Sequence, residues 1–389
     1  MPRPLLPDRI AARHAERVEA SLVRRLRTIE SADGAYVAIA GKRLLNFASN
    51  DYLGLAQHPA LREALTDAAS RWGVGATAAP LLGGRREEHA ALEDALARWT
   101  GYERVLLFSD GWAANLGTIA ALLKRDDLCV EDKLNHASLI DAARLAGCGL
   151  KRYPHADVEG ARRQIGSRPD AAAIVATDGV FSMDGDVAPL AGLASLCREQ
   201  HATLMVDDAH GLGVLGPDGA GSVAEAALSQ NDAPILMATL GKALGVAGAF
   251  VAGSAALIDA LVQDARTFVY ATAMPPALAA AARAAVDVAR FESWRRDRLA
   301  RLIAHFRSAA DASGLTLLPS RTPIQPLVIG ASDAALTVAA KLEDAGFYVP
   351  AIRPPTVPEG KARLRITLTA LHTESEIERL IDAIAGALG

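Results

Sequence analysis

Short apolar runs that alternate with helical stretches constrain the fold of this chain more than any other feature. The five runs are rich in β-branched or other apolar residues and are bounded by Gly, Asp or Pro; they lie at 104–108, 172–178, 203–208, 234–240 and 249–253. Between them the chain is rich in Ala, Leu and Arg, which favour helices. Apolar strands separated by helices are typical of a mostly parallel sheet that is covered on both sides. The sequence therefore predicts an α/β fold with such a sheet at its centre.

The two ends of the chain depart from this alternation and predict flanking parts. Residues 9–30 are charged, rich in Ala and free of Pro and Gly, which predicts an N-terminal helix, and two short strands follow around Gly41. After a helical stretch near 277–311 the pattern changes to short strands and two further helices, which predicts a smaller C-terminal α+β domain. The predicted parts are an N-terminal arm, a large α/β domain and the small domain, over 1–58, 59–290 and 291–389.

Composition and charge favour small-molecule chemistry over binding to nucleic acid or membranes. The 41 Lys and Arg residues and 45 Asp and Glu residues are well mixed along the 389 positions, so no basic surface is indicated. No apolar run approaches the roughly 20 residues of a membrane span, and the start has no signal-peptide pattern, so we expect a cytoplasmic protein. The three cysteines, Cys129, Cys148 and Cys197, are far apart, which favours reduced and buried thiols.

Residues able to contact a ligand lie at or just past the ends of four predicted strands. The carboxyl ends of strands in such a sheet open onto the crevice where ligands bind, so we expect these residues to point at one site. They are Ser109, Gly111 and Trp112 after the first run, Asp178 and Ser182 after the second, Asp207 and His210 after the third, and Thr239 and Lys242 after the fourth.

Lys242 stands out in this set because its surroundings are small and apolar. It follows an apolar strand and is set between Gly241 and Ala243. A lysine left charged in such surroundings is costly, so we expect its pKa to fall. A lysine of lowered pKa is the residue that forms a Schiff base with an aldehyde cofactor. From this segment alone, an ammonium group that reaches the surface along its apolar stem is an equal alternative.

The pair Asp207 and His210 is suited to hold a flat, nitrogen-containing ring at the strand ends. A buried carboxylate beside a pyridine nitrogen raises the pKa of that nitrogen and keeps it protonated, so the ring draws electrons strongly. The Asp-x-x-His spacing also suits a metal site, but the sequence places no third ligand nearby. No metal is therefore predicted.

Two predicted helix starts add candidates to this site. Backbone N–H groups at a helix start attract phosphate, and Gly111 would let the backbone approach it closely. Thr239 could add a hydroxyl group, or could be an ordinary strand threonine. His136 begins another predicted helix, where a capping or packing role is the alternative to a functional one.

The chain also resembles the α-oxoamine synthases, which are fold-type-I pyridoxal-phosphate enzymes, from about residue 44 to its C-terminal end. The matching segments, in family order, are NFASNDYLGL, HAALEDALARWTG, SDGWAANLGTI, LNHASLIDAARLAG, TDGVFSMDGDVAPL, VDDAHGLGVLG, TLGKALGVAGAF and RLRITLTALHT. The resemblance implies a homodimeric transferase of that fold with bound pyridoxal 5'-phosphate. The implied reaction joins an amino acid to an acyl thioester with release of CO2.

The resemblance implies a role for each candidate residue. Lys242 would hold the cofactor covalently, Asp207 would pair with its ring nitrogen, and His136 would stack on its ring. His210 and Ser182 would flank the ring hydroxyl, and the implied catalytic set is Lys242, His136, His210 and Asp207. The positions implied for the phosphate region are Gly111, Trp112 and Thr239, and those implied for substrate are Arg24, Asn50, Thr356 and Arg365. The guanidinium fork of Arg365 suits the carboxylate of an amino acid.

One C-terminal segment narrows the resemblance within the family. Residues 351–373, AIRPPTVPEGKARLRITLTALHT, are most similar to the family members that act in biotin synthesis. Those members use L-alanine and a pimeloyl thioester of CoA or a carrier protein. Members that act on glycine and acetyl-CoA share the cofactor residues and stay an alternative. A binding subunit without chemistry is less favoured, because Lys242, Asp207 and His210 occur together. A dinucleotide-binding protein is not favoured, because no G-x-G-x-x-G follows the first strand of a βαβ unit.

Overall fold

The chain separates into two units in the computed structural model, which describes residue 3 and residues 5–389. The first unit consists of Met1–Ser49, Met183–Gly185 and Ala300–Gly389, and the second consists of Asn50–Ser182 and Asp186–Leu299. The three-part division expected from the sequence, with boundaries after residues 58 and 290, stays a prediction.

Helices and strands alternate along most of the described chain. The helices are α1 (Leu6–Glu19), α2 (Pro59–Trp72), α3 (Glu87–Thr100), α4 (Gly111–Leu122), α5 (Ala137–Ala146), α6 (Val158–Ile165), α7 (Leu190–Glu199), α8 (Ser222–Glu225), α9 (Ala255–Asp264), α10 (Arg266–Val269), α11 (Pro276–Phe291), α12 (Trp294–Ala312), α13 (Ser332–Asp344) and α14 (Glu374–Leu388). The strands are β1 (Ser31–Asp33), β2 (Tyr36–Ile39), β3 (Lys42–Asn46), β4 (Arg104–Phe108), β5 (Leu128–Asp132), β6 (Gly149–Tyr153), β7 (Ala173–Asp178), β8 (Thr203–Asp207), β9 (Ile235–Thr239), β10 (Ala249–Gly253), β11 (Ile324–Gly330), β12 (Phe347–Tyr348), β13 (Ala351–Ile352) and β14 (Ala362–Thr367). No helix in the described part of the chain combines the length and the apolar character that crossing a membrane requires.

The second unit is built on a seven-stranded sheet with the order β4-β10-β9-β8-β7-β5-β6. Six strands run in the same direction, and β10 runs antiparallel to its neighbours β4 and β9. Buried strand residues such as Met205 share one apolar core with helix residues such as Ile119 and Leu139. The prediction of an α/β fold with a mostly parallel central sheet covered by helices is confirmed.

Two strands of this sheet, β5 and β6, are not predicted by the pattern of apolar runs. β5 ends in Glu131 and Asp132, and both acidic side chains are buried, although charged residues usually stay at the surface. β6 is an edge strand whose sequence, GLKRY, is only partly buried. Hydrogen bonds to parallel neighbours therefore continue these two strands through residues that an apolar pattern would leave out.

The predicted helix over 9–30 is wrong beyond Glu19. α1 ends there, Ser21 has a positive φ of 55°, and the following residues as far as β1 are not helical. None of the side chains of α1 is buried among the described residues, so no packing extends the helix along its apolar periodicity. The helical stretch near 277–311 is split into α11 and α12, because Glu292 leaves the helical region with φ −91° and ψ 62°.

The first unit contains two small sheets, with the orders β1-β2-β3-β12 and β11-β14-β13. Thr367 joins them, since its N–H and its hydroxyl group both donate to Phe47 O at 2.8 Å. α14 begins with a capping box in which Thr373 and Glu376 each accept the other's backbone N–H. The short strands and the two further helices expected towards the C-terminal end are present.

The three cysteines are free thiols in the structure. Cys129 and Cys197 are buried, as predicted. Cys148 is only partly buried, because it lies in the short connection between α5 and β6, so the prediction of burial is wrong for this residue.

The turn after β9 carries Lys242 and is fixed by its own backbone. Gly245 N–H donates to Lys242 O, and Val246 N–H donates to Leu240 O, both at 2.9 Å. Gly245 has a φ of +67°, and a Cβ placed on it would lie 2.4 Å from Ala56 N, a backbone atom that cannot move aside easily. Glycine at this position therefore sets the path of the turn that presents Lys242.

Replacing Gly245 by Ala is expected to destabilise the second unit. The added Cβ meets the Ala56 backbone at a positive φ, and such strain costs on the order of 1–3 kcal/mol, which should lower the melting temperature. Gly75→Ala is the matched control in the same unit, because a Cβ there meets nothing within 4 Å and φ is not positive. Equal melting temperatures for the two variants in differential scanning calorimetry would contradict this explanation.

Candidate active site

A cavity of about 190 Å³ opens in the second unit where several strands end and two helices begin. Its walls come from the starts of α4 and α5 and from the segments that end β7, β8 and β9. The lining residues are Gly111, Trp112, Asn115, His136, Ser138, Asp178, Val180, Ser182, Asp207, Ala209, His210, Met237, Thr239 and Lys242. All eight residues expected at the cofactor thus lie around one cavity, while their individual roles stay predictions.

Ser109 is the exception among the strand-end residues expected to share this site. It lines a different, smaller cavity, together with residues such as His89 and Met274. Its hydroxyl group donates to Asp110 Oδ2 at 3.0 Å, and Asp110 in turn caps α4 by accepting the N–H of Ala113 at 2.8 Å. The expectation that Ser109 points at the shared crevice is therefore wrong, because its hydroxyl serves the helix cap.

The start of α4 presents backbone N–H groups to the cavity. Ala114 N–H bonds to Asp110 O and Ala113 N–H bonds to the Asp110 side chain, so Gly111 and Trp112 precede the first helical hydrogen bonds. A Cβ placed on Gly111 would meet only the Met237 side chain, at 3.6 Å or more. Packing within the protein therefore does not demand glycine at this position, and the free space belongs to the cavity.

Asp207 is buried and its carboxylate is held from two sides. Oδ2 accepts a hydrogen bond from Asn115 Nδ2 at 2.7 Å, and Oδ1 accepts the N–H of Ala209 at 3.1 Å. Asn115 also donates to Ser138 Oγ at 2.8 Å. The sequence arguments did not single out Asn115, although it stands four residues after Gly111 and so on the same face of the helix.

His136 is at once a helix cap and a lining residue of the cavity. Its Nδ1 accepts the N–H of Ser138 at 3.3 Å, which caps α5, and lies 2.7 Å from Ser138 Oγ. Trp112 meets the His136 ring edge-on, with the ring centroids 5.9 Å apart. Displacement of water by the surrounding protein lowers the pKa of His136; Asp207 acts in the opposite direction and Lys242 in the same direction. The two alternatives weighed for this residue, capping and a place in the site, are therefore compatible.

Asp178 lies beside Asp207 because the parallel strands β7 and β8 pair these two residues in register. The Asp178 carboxylate accepts the backbone N–H of His136 at 3.2–3.3 Å. Burial, and then the nearby charge of Asp207, raise the pKa of Asp178 well above its usual range. This edge of the sheet thus concentrates acidic groups that face the cavity.

His210 is linked to the segment that precedes α2. Its Nδ1 lies 2.6 Å from the hydroxyl group of Tyr52, a fully buried residue. That hydroxyl group is also 3.2 Å from Asn50 Oδ1. Asn50 therefore reaches the His210 side of the site through Tyr52, whose contribution the sequence arguments missed because the contact spans 158 positions.

Thr239 and Lys242 complete the wall formed by the end of β9. The hydroxyl group of Thr239 donates to Gly248 O at 3.0 Å and accepts the N–H of Gly241 at 3.2 Å. Its hydrogen is thus used within the protein, and a bond from Thr239 to a phosphate would require that hydroxyl to rotate. Lys242 is half-buried in the turn that follows.

The remaining three candidate substrate residues belong to the first unit. Arg365 is buried on β14, whereas Arg24 and Thr356 are exposed. Arg24 does not lie on the N-terminal helix, which ends at Glu19. Their substrate roles, like that of Asn50, stay predictions.

An acid–histidine–acid cluster supports the loop that leads to His136. Asp132, at the end of β5, accepts the N–H of Leu134 at 2.8 Å and the N–H of Ala156 at 2.7 Å. His155 lies between two carboxylates, with Nδ1 3.1 Å from Asp132 Oδ1 and Nε2 2.7 Å from Asp186 Oδ2. Burial alone would lower the pKa of His155, but its bonds to Asp132 and Asp186 raise it to about 10.

Comparison with known proteins identifies the family. The chain matches the family described as Aminotransferase class I and II over residues 42–384. It is 54% identical over 388 residues to an 8-amino-7-oxononanoate synthase of Xanthomonas euvesicatoria pv. vesicatoria (strain 85-10), with coverage of 100% of this chain and 97% of the relative. The chain belongs to the class I and II aminotransferase family. Another relative with the same name, from Xylella fastidiosa (strain M12), is 53% identical over 386 residues, which are 99% of this chain and 96% of that one.

Solved structures place this aminotransferase-family chain among the fold-type-I enzymes, as predicted. A serine palmitoyltransferase from S. paucimobilis with a bound PLP–myriocin aldimine superposes with a TM-score of 0.93 at 26% identity, covering 99% of this chain and 98% of that one. An 8-amino-7-oxononanoate synthase from Francisella tularensis gives a TM-score of 0.78 at 29% identity, covering 89% and 98%. The resemblance to α-oxoamine synthases is thereby confirmed.

The His155 cluster predicts a specific pH dependence of stability. Because the pKa of His155 is raised on folding, its contribution is fully present below about pH 6.5 and is lost as the pH rises through about 10. His155→Gln should lower the free energy of unfolding near neutral pH by about 1–2 kcal/mol, since the pair is partly screened by water. The difference in melting temperature between wild type and variant should shrink as the pH approaches about 10. A constant difference across this range would refute the ion-pair explanation, and His201→Asn, at an exposed turn residue with φ of +52°, is the control.

Proposed function

We propose that this chain catalyses the pyridoxal-phosphate-dependent condensation of L-alanine with a pimeloyl thioester to 8-amino-7-oxononanoate, a reaction of biotin synthesis. Relatives that are 53–54% identical over nearly the whole chain carry the name of this enzyme. The observation in the structure that carries the proposal is the single cavity lined by Lys242, Asp207 and His136. The reaction consumes one proton and releases CO2 and the free thiol of CoA or of a carrier protein.

The residues of the cavity fit pyridoxal 5'-phosphate. Asp207 supplies a buried carboxylate for a protonated ring nitrogen, and Lys242 supplies a primary amine for the aldehyde. The helix start at Gly111 supplies backbone N–H groups for a phosphate, next to space that a Cβ would otherwise fill. Ser182 and His210 provide polar groups for the ring hydroxyl. The donor set thus matches each polar part of this cofactor.

The chain's own residues bind and orient the reactants and move protons. When bound, pyridoxal phosphate withdraws electrons from the Cα of the amino acid and so makes this carbon a nucleophile. Lys242 would hold the cofactor through its amine, and the same amine, when neutral and free, would take the Cα proton as a general base. His136 lies over the same cavity and can donate a hydrogen bond to a carbonyl oxygen that gains charge. Arg365 would bind the carboxylate of alanine through its guanidinium group.

The decisive experiment measures the activity of the purified protein, loaded with pyridoxal phosphate, on two pairs of substrates. We expect kcat/KM for L-alanine with pimeloyl-CoA to exceed that for glycine with acetyl-CoA by at least about 10-fold, as one methyl group in a fitted pocket provides. The products are identified by mass spectrometry as the nine-carbon amino ketone and CO2. Preference for glycine and acetyl-CoA would instead assign the chain to the other branch of the family.

Lys242→Ala is expected to abolish turnover. Loss of both the covalent attachment and the general base should lower kcat by about 10³-fold or more. The exposed Lys124, replaced by Ala, is the matched control and should keep wild-type turnover. Turnover of Lys242→Ala near the wild-type rate would refute the assignment of this residue.

We also propose that the active form is a cytoplasmic homodimer. Support for this comes from the resemblance to α-oxoamine synthases, for which such an assembly is expected. Sedimentation of the purified protein should give about twice the chain mass of 40.7 kDa.

A further inference from the structure

A continuous chain of hydrogen bonds joins Asp207 to His136. Asn115 Nδ2 donates to Asp207 Oδ2 at 2.7 Å and to Ser138 Oγ at 2.8 Å. Ser138 Oγ in turn lies 2.7 Å from His136 Nδ1. Asn115 and Ser138 have no solvent-accessible surface, so water does not compete for these bonds.

The direction of each bond follows from what each group can donate. An ionised carboxylate only accepts hydrogen bonds, so the amide group that faces Asp207 must be the Nδ2 of Asn115. The second hydrogen of the same Nδ2 goes to Ser138 Oγ, which leaves the serine hydrogen to be donated onward to His136 Nδ1. Asn115 Oδ1 is buried without a partner among the described residues, so no bond on that side fixes the amide.

His136 Nδ1 thus faces two donors. It accepts the backbone N–H of Ser138 at 3.3 Å as well as the serine hydroxyl. A neutral imidazole that accepts at Nδ1 carries its proton on Nε2. Protonation of His136 at Nδ1 would turn that nitrogen into a donor and place it against the Ser138 N–H.

We propose that Asn115 and Ser138 are positioning residues that hold His136 as the neutral imidazole with its proton on Nε2, ready to donate a hydrogen bond to the reacting substrate. The inference rests on the proposed function, in which His136 meets the substrate and Asp207 is ionised. His136 then acts as a donor rather than as a base, which leaves Lys242 as the base of the reaction.

The surroundings of His136 as a whole also favour its neutral form, because burial outweighs the nearby charge of Asp207. From α4 the ring meets the uncharged Trp112. From β7, Asp178 accepts only the backbone N–H of His136. Asp207 raises the pKa of His136, but displacement of water and the charge of Lys242 lower it below its usual value. The hydrogen-bond chain adds a directional preference that these charges do not provide.

The test is nuclear magnetic resonance of the cofactor-loaded protein labelled with ¹⁵N-histidine, with His136→Gln used to assign the signal. We expect the wild-type His136 to carry its proton on Nε2. Ser138→Ala should raise the titration midpoint of His136 by about one pH unit, a tenfold change in proton affinity, and should yield a mixture of tautomers. Asn115→Leu should change the midpoint in the same direction, because Ser138 then loses the donor that orients it.

Two control variants separate positioning from general damage. Ser138→Thr keeps the hydroxyl group and should restore the wild-type tautomer. Thr118→Val removes a different buried hydroxyl group, on α4, which has no partner among the described residues. This variant should leave the tautomer and the titration midpoint of His136 unchanged. A proton on Nδ1 in the wild type, or an unchanged midpoint in Ser138→Ala, would overturn the proposal.

The same variants have a kinetic signature. The acidic limb of the pH profile of kcat/KM for L-alanine should move with the His136 midpoint in Ser138→Ala and stay in place in Thr118→Val. Failure of the wild type to convert alanine and pimeloyl-CoA would instead refute the proposed function, and the tautomer measurement, which needs no acyl donor, would still stand on its own.

Discussion

The register between β7 and β8 places two acidic side chains side by side at the carboxyl edge of the sheet. Asp178 and Asp207 are paired residues of parallel strands, and both are buried. Next to them Asp208 is fully buried as well, and burial raises its pKa to about 7. Three neighbouring carboxyl groups away from water are costly unless each one has a donor. The surrounding structure supplies those donors.

Each of these acids is matched by an N–H group from a different segment. Asp207 is held by the Asn115 side chain and the Ala209 backbone, Asp178 accepts the His136 backbone N–H, and Asp208 accepts the N–H of Ser222 at 2.7 Å. Donors to the three carboxyl groups therefore come from α4, the start of α5 and the start of α8, which converge on the strand ends. The cavity lies where the starts of α4 and α5 meet the strand ends.

Much of this site could be predicted from the local sequence around each residue, whereas the contacts between distant segments could not. Lys242 and the Asp207–His210 pair were identified because charged residues just after apolar strands have few structural uses. The role of Asn115 depends on Asp207, which lies 92 positions away, and the role of Tyr52 depends on His210. Sequence periodicity does not indicate contacts between residues so far apart. Only the family resemblance pointed to the segments that contain Asn115 and Tyr52.

The same distinction explains the errors in the predicted fold. β5 was missed because Glu131 and Asp132 break the apolar pattern. Asp132 is buried beside donors such as Ala156 N–H, whereas among the described residues Glu131 Oε1 has only the Cys129 thiol, at 3.4 Å, and burial raises the pKa of Glu131 to about 7. The antiparallel direction of β10 likewise depends on its partners rather than on its sequence, AFVAG. Apolar runs identify strands, but the neighbouring strands decide their direction. Hydrogen bonds to those neighbours also allow charged residues to occur within a strand.

Glycines near the strand ends illustrate why motif spacing alone misleads. A Cβ added to Gly211 or Gly221 would lie 2.0 Å from a carboxylate oxygen of Asp208, and one on Gly179 would lie 2.7 Å away. These glycines therefore make room for a buried acid instead of cradling a nucleotide, the alternative that glycine-rich turns suggest. Since Asp208 is enclosed in this way and directly follows Asp207, the glycines fix the backbone from which Asp207 reaches the cavity. The glycine content of this region is thus a consequence of burying acidic groups behind the site.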